Sequence, residues 1–294
     1  MGGAGLPVWV EGGYRREPRN VATNFGGRQM AISHKISGNA MQMVVCQVDD
    51  GQTLYAEAGK FLWKTVNVGI ETKISSPNNQ GGAGGGSGGL LGMAVNVGKR
   101  MLAGESIAFQ YFTPHGGAGL ISLAGTLPGE MRAIELDGTR GWFAEKDAFV
   151  AAESTVNFDI AFSGMKAGFK GGEGFVLEKF TGVGTLFVAG AGNFIELNPA
   201  KYGGKIQVHT GCLVAFEDTV RYGVERIGAL NAQTIMSGIL GGNGFNLATL
   251  EGDGTVILQS MTIESLAHAI VKNSHAGHEE KATNPLGGLF GGRD

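Results

Sequence analysis

The 294-residue chain contains 53 Gly, about 18% of its residues against a usual roughly 7%, yet only 7 Pro and no Gly-X-Y period, which excludes a collagen-like fibre. A hydrophobic fraction of 43% with 17% charged residues excludes general disorder. With 23 Lys+Arg against 26 Asp+Glu, the net charge of −3 argues against a surface dedicated to polyanions and leaves room only for a local basic patch.

Residues 1–32 read as a loose N-terminal arm, mildly basic through Arg15, Arg16, Arg19 and Arg28. Its apolar segment Pro7–Val10 suits packing on a neighbouring subunit. The apolar stretch Leu6–Val10 is too short for a signal peptide and precedes the basic residues. Leu6 fails the myristoylation pattern, and no run of 18 apolar residues predicts a transmembrane helix. The expected location is cytoplasmic, with a peripheral membrane contact as an option.

From residue 33 to about 262 the pattern is strand-like. Met41–Val48 is a β-rich run that ends at the turn Asp49-Asp50-Gly51, and Thr155–Phe162 alternates with period two. Phe175–Phe180 and Thr185–Val188 are expected to form a hairpin across Thr181-Gly182-Val183-Gly184. Many short strands with close glycine turns predict an all-β fold. A helical period is visible only near Ile263–Val271, so residues 263–294 read as a short helix with a polar tail.

The chain repeats itself. Gly171–Leu186 matches Gly241–Val256 at an ungapped offset of 70, and Ala103–Thr113 is a weaker copy 68 residues before Gly171 onward. Each copy has an upstream partner: Phe61-Leu62 leads to Val66 and Ile70, Phe149-Val150 to Val156 and Phe158, and Leu213-Val214 to Val220 and Tyr222. Three tandem units follow, at 33–125, 126–192 and 193–262. The first holds a Gly-rich insertion, 81–98, whose glycine tract spans residues 81–89. The apolar stretch that follows this tract, Leu90–Leu102, is a candidate partner-docking segment. Its candidate residues are Leu91, Val95, Lys99, Arg100 and Leu102, with the two cations facing solvent and a protein partner or lipid headgroups as the occupant.

No catalytic constellation emerges. Cys46 and Cys212 lie in apolar runs and read as small core residues of a reducing compartment. The histidines His34, His115, His209, His268, His275 and His278 contain no His-x-His pair, and His275-x-x-His278 sits in a polar stretch, so no metal site is expected. Gly92–Arg100 fails the Walker pattern by one residue and by Arg100 in place of Ser or Thr. Ser87 matches a nucleophile elbow only by chance within the glycine tract. Glu105 and Glu173 occupy matching repeat positions, but the third copy has Asn243 there, which fits a turn better than an acid–base pair. Phe109, Tyr111, Phe112, Phe175, Phe180 and Phe187 could stack bases, but with Lys179 as the only interleaved cation they read as core. No cofactor is expected, and there is no strong nucleic-acid signal.

These repeats resemble the mitochondrial-biogenesis, or altered-inheritance-of-mitochondria, family over roughly residues 33–262. The residues that carry the resemblance are Ala103–Ser106, Leu127–Glu130 before Ile134–Leu136, and Gly171–Phe175. They continue in Gly211–Glu217 with Val224–Arg226, and in Gly241–Phe245. The long arm, the Gly-rich insertion and the polar tail depart from the family. The resemblance implies a fold like that of the tryptophan RNA-binding attenuation protein, a short double-stranded β-helix or β-sandwich module whose copies form rings. That protein's tryptophan and RNA sites have no matching residues here. Three modules per chain then imply a homo-oligomer, with a trimer favoured to complete a nine-module ring. The expected function is non-enzymatic: a scaffold or partner-binding ring for an unknown protein partner. The alternatives are a small-ligand or nucleic-acid ring, or an enzyme with a site between subunits.

Overall fold

Short runs of β-branched and aromatic residues between glycine turns form eighteen strands and one helix among the residues described by the structure, a computed structural model: 32–73, 108–163, 176–226 and 246–274. Over the described residues the fold is all-β with one short α-helix and three brief 3-10 turns. The arm before residue 32, the Gly-rich insertion and the polar tail lie outside the described residues.

The strands fall into three sets in chain order. The first comprises β1 (Ser33–Ser37), β2 (Met43–Val48), β3 (Leu54–Glu57), β4 (Phe61–Lys64), β5 (Val68–Lys73), β6 (Phe109–Pro114) and β7 (Gly119–Ala124). The second is β8 (Met131–Asp137), β9 (Trp142–Glu145), β10 (Phe149–Glu153), β11 (Val156–Ser163) and β12 (Val176–Ala189). The third is β13 (Phe194–Leu197), β14 (Lys205–His209), β15 (Leu213–Glu217), β16 (Val220–Arg226), β17 (Asn246–Gly252) and β18 (Val256–Gln259). Helix α1 (Ile263–Ser274) follows.

One antiparallel pairing scheme recurs in all three sets. In the first, β7 lies between β2 and β4, and β6 lies between β3 and β5. In the third, β18 lies between β13 and β15, and β17 between β14 and β16. In the second set a single strand does both jobs. The C-terminal half of β12 lies between β8 and β10, and its N-terminal half between β9 and β11. Strand β1 is an addition to the first set, paired with β2.

The expected hairpin across Thr181–Gly184 is therefore not formed. The chain bends there instead of reversing, because Gly182 and Gly184 hold φ of 108° and 142°, values that side chains resist. A Cβ on Gly182 would also stand 2.5 Å from the Thr155 carbonyl oxygen. The bend carries β12 out of one three-stranded group and into the next. A second expectation also shifts by two residues. Val68, not Val66, holds the place of Val156 and Val220, since these three pair with Pro114, Gly182 and Gly252.

Local detail repeats with the pairing. The register slips between Phe61 and Trp63, between Phe149 and Ala151, and between Leu213 and Ala215. Leu62, Val150 and Val214 thus hold equivalent bulge positions. At or just past the end of each of these strands a side-chain oxygen accepts a backbone N–H from the central strand or the residue before it. Thr65 Oγ1 accepts from Leu120 at 3.1 Å, Glu153 Oε1 from Thr185 at 2.8 Å and Glu217 Oε2 from Thr255 at 3.0 Å.

The hydrophobic cores run across the sets. Tyr55 and Phe109 of the first pack with Phe149, Phe158 and Phe180 of the second, and Leu177 of the second packs with Phe216, Leu250 and Val256 of the third. Aromatic pairs such as Phe149–Phe180, stacked at 5.0 Å, add directional contact to the burial. This sharing of cores makes the three sets one domain.

Candidate assembly interface

The sets join edge to edge, and the join has a fixed register. Strand β10 of the second set pairs with β3 of the first: Ala151 opposite Ala56, Ala152 opposite Tyr55, Glu153 opposite Leu54. Strand β15 of the third pairs with β9 of the second: Ala215 opposite Ala144, Phe216 opposite Phe143, Glu217 opposite Trp142. Each seam closes with the same backbone bond at 2.9 Å, Ser154 N–H to Thr53 O in one and Asp218 N–H to Gly141 O in the other. By position, β4 is the counterpart of β10 and β15, and β14 is the counterpart of β3 and β9. Among the described residues β4 pairs only with β7 and β14 only with β17. Among the described residues, one half of the seam is thus open at each end of the series.

The chemistry of the open β4 edge differs from that of its closed counterparts. Leu62 and Trp63 are 48% and 43% exposed, whereas Val150, Ala151, Val214 and Ala215 at the same places are at most 1% exposed. Val66, at the place of Ser154 and Asp218, is fully in solvent. Met43 follows the same rule: it is exposed, while Met131 at the equivalent position is buried. On the opposite edge, Val208 of β14 is at the limit of burial and Ile206 is half-buried, whereas Ala56 and Leu54 in the first closed seam are fully buried. Lys205 and Gln207 both donate to Glu225, at 2.7 and 2.6 Å, which pulls the Glu225 carboxyl below its usual range. His209 Nδ1 accepts from Gly211 N–H at 3.1 Å and shapes the turn that follows β14, as Glu145 does for Asp147 after β9.

Two glutamates near the middle of the second set are engaged in structure. Glu153 is buried and accepts from Ile32 N–H at 3.0 Å as well as from Thr185. Glu135, an exposed residue of β8, accepts from Thr185 Oγ1 at 3.2 Å, and partial burial of its carboxyl raises its pKa. A groove of about 330 Å³ is lined by Glu135, Asp137, Arg140, Trp142 and Glu217, with Arg140 paired to Glu217 at 3.2 Å. Cys46 is buried, and burial pushes its thiol far up, so it is unreactive; Cys212 is half-exposed, and both are free thiols. Among the described residues no group of three or more His, Cys, Asp or Glu is placed to hold a metal ion. No described helix is long and apolar enough to cross a membrane.

The candidate docking residues Leu91, Val95, Lys99, Arg100 and Leu102 lie outside the described residues, as do Ser87, Glu105, Glu173, Phe175, His275 and His278. The described aromatics read as core are buried: Phe109, Phe112, Phe180 and Phe187 completely, and Tyr111 nearly so. The open edges escape a reading of single motifs. The usable signal is the alignment of Phe61-Leu62 with Phe149-Val150 and Leu213-Val214. It places Leu62 and Trp63 where the other two copies have residues closed into a seam.

Comparison with known proteins is consistent with this arrangement as a shared fold. A family model described as mitochondrial biogenesis AIM24 matches residues 34–261. A Streptococcus pyogenes protein described as uncharacterized is 26% identical over 231 residues, which cover 78% of this chain and 86% of that protein. The crystal structure of a Streptococcus pyogenes protein, from a structural genomics programme, superposes with a TM-score of 0.62 at 23% identity, covering 82% of this chain and 99% of the other.

Proposed function

We propose that this chain, which belongs to the mitochondrial biogenesis AIM24 family, is a non-enzymatic scaffold that assembles head to tail with copies of itself. The observation that carries this reading is the seam that occurs twice inside the chain and leaves its two halves open at β4 and β14. An open sheet edge lined by Leu62 and Trp63 invites strand addition, and the strand that fits it by precedent is β14 of a second copy. Transferring the two internal registers sets Trp63 opposite Val208, Lys64 opposite Gln207 and Thr65 opposite Ile206. Val66 N–H would then donate to Lys205 O, as Ser154 and Asp218 do in the internal seams. A contact between two different surfaces forms a ring when its rotation closes. A ring of three chains is the form implied by the resemblance noted above.

Light scattering tests the reading. The wild-type chain is expected at about three times 30.5 kDa. Trp63→Glu is expected as a monomer with an unchanged circular dichroism spectrum, because Trp63 is exposed in the single chain. A wild-type monomer across micromolar concentrations, or a Trp63→Glu variant of unaltered mass, would overturn it. Contact of the scaffold with a membrane through Leu91, Val95, Lys99, Arg100 and Leu102 rests on sequence alone. Co-sedimentation with anionic vesicles, lost in Lys99→Ala/Arg100→Ala, is its test.

A further inference from the structure

Helix α1 leaves the third strand set at a telling place. After β7 and after β12 the chain runs through a short linker into the first strand of the next set. Each linker lies against the segment that enters the neighbouring set: Gln42 N–H, just before β2, donates to Gly129 O at 3.0 Å, and Glu130 N–H donates to Gly192 O at 2.9 Å. Side-chain oxygens repeat the link, Gln42 Oε1 accepting from Met131 N–H at 2.7 Å and Glu130 Oε2 from Phe194 N–H at 3.0 Å. The packing there is backbone on backbone, so that a Cβ on Gly129 would fall against Gly190 O. After β18 the same course begins, with Ser260 N–H donating to Asn193 O and Met261 N–H to Ala191 O. A helix then starts where another strand set would.

The start of the helix is fixed. Thr262 caps it, its Oγ1 accepting from Ser265 N–H at 3.0 Å while Ser265 Oγ accepts from Thr262 N–H at 3.2 Å. The first turn lies beside the turn that follows β14, since a Cβ on Gly211 would meet Thr262 Cγ2 at 3.2 Å and Glu264 Oε2 at 3.3 Å. The helix therefore begins next to the open β14 edge.

Twelve residues make a marginal helix in isolation, and this one leaves most of its apolar side in water, with Leu266 half-buried. Ile263, Leu266 and Ile270 share a face by their spacing of three and four, and Ile263 and Ile270 are exposed. Glu264, His268 and Lys272 lie on the opposite face. In the first strand set the exposed apolar residues Met41, Met43 and Leu62 lie toward one end of β2 and β4, on either side of β7, and the seam brings that end next to a preceding copy's β14–β15 turn.

We propose that α1 is a clasp, its Ile263–Leu266–Ile270 face docking at Met41 of the next copy, beside the Met43 and Leu62 positions that the seam itself covers. The inference rests on the head-to-tail reading and adds to it a second contact, outside the strand seam. Two apolar patches, each exposed in the single chain and each beside one half of the seam, cover one another when the seam closes.

Cysteine cross-linking tests the clasp. Two differently tagged copies, one Met41→Cys and one Ile270→Cys, both with Cys212→Ser, are mixed and oxidised. A disulfide between the tags is expected, and its absence in a mixture that keeps its assembled mass would overturn the clasp while leaving the seam standing. A disulfide within one chain of the Met41→Cys/Ile270→Cys double variant, diluted until it is monomeric, would also overturn it, because the helix would then cover its own chain. A wild-type monomer would remove seam and clasp together. As a second measurement, Ile263→Ser/Ile270→Ser is expected to raise the dissociation constant of the assembly about tenfold or more, with the melting temperature of the dissociated chain unchanged. An unaltered dissociation constant would overturn the clasp.

Discussion

Glu153 is a carboxylate in the interior that is held by backbone amides. It accepts from Ile32 at the start of β1 and from Thr185 within β12, and so ties the added strand to the long one. Removing it leaves two buried N–H groups without an acceptor, so Glu153→Ala should lower stability by about 2–4 kcal/mol in chemical denaturation. Its neighbour Glu135 acts in the opposite sense. Burial raises its pKa first and the Glu153 charge adds to this, against the lowering effects of the Thr185 hydroxyl and His34. The folded chain thus holds the Glu135 proton more tightly than the unfolded chain does. Its cost to stability is absent below the ordinary glutamate pKa and grows as pH rises through the raised value. Glu135→Gln is accordingly expected to melt higher than wild type at pH 7, with the gain vanishing toward about pH 4. A gain that persisted at the acid end would refute the assignment.

Strand β12 has its bend at two glycines, and the bend is testable. Gly182→Val introduces a side chain at φ 108° against a backbone carbonyl and should cost about 2–4 kcal/mol by denaturant midpoint. The all-β class and the short helix were legible in the sequence. Phe112, Phe180 and Leu250, which stand 68 and 70 residues apart, face Leu54, Trp142 and Ile206. The bend was not legible. Gly-x-Gly between two apolar runs is a turn signal, and only the neighbouring strands β8, β9, β10 and β11, paired along both edges of β12, decide that the chain continues. The two-residue error at Val66 has a similar cause. Val66 and Val68 are both valines of one phase, and only the partner Pro114 tells which is inside.

At the scale of the whole molecule, the open edges were invisible to any search for chemical motifs, because they are defined by a missing neighbour. Leu62 and Trp63 look like ordinary strand residues until Val150 and Val214 show what their places normally contain. The proposed assembly joins backbone edges and apolar side chains in a chain of net charge −3. Its mass by light scattering is therefore expected to be unchanged between about 0.05 and 0.5 M salt, whereas dissociation on adding salt would point to an ionic interface.

The uninterrupted course of β12 also has a mechanical consequence. It is 14 residues long and is engaged on both edges, along both halves. The first and third sets interrupt the same path with loops. If tension is applied to a single chain in an optical trap, the outer sets should therefore yield first and the middle set last. The first rips should release β1–β7 or β13–β18, and the final and highest-force event should lengthen the chain by the span of β8–β12. A scaffold built this way would bear load through its centre and give at its joints, so that a strained ring would open at a seam before any one chain unravelled.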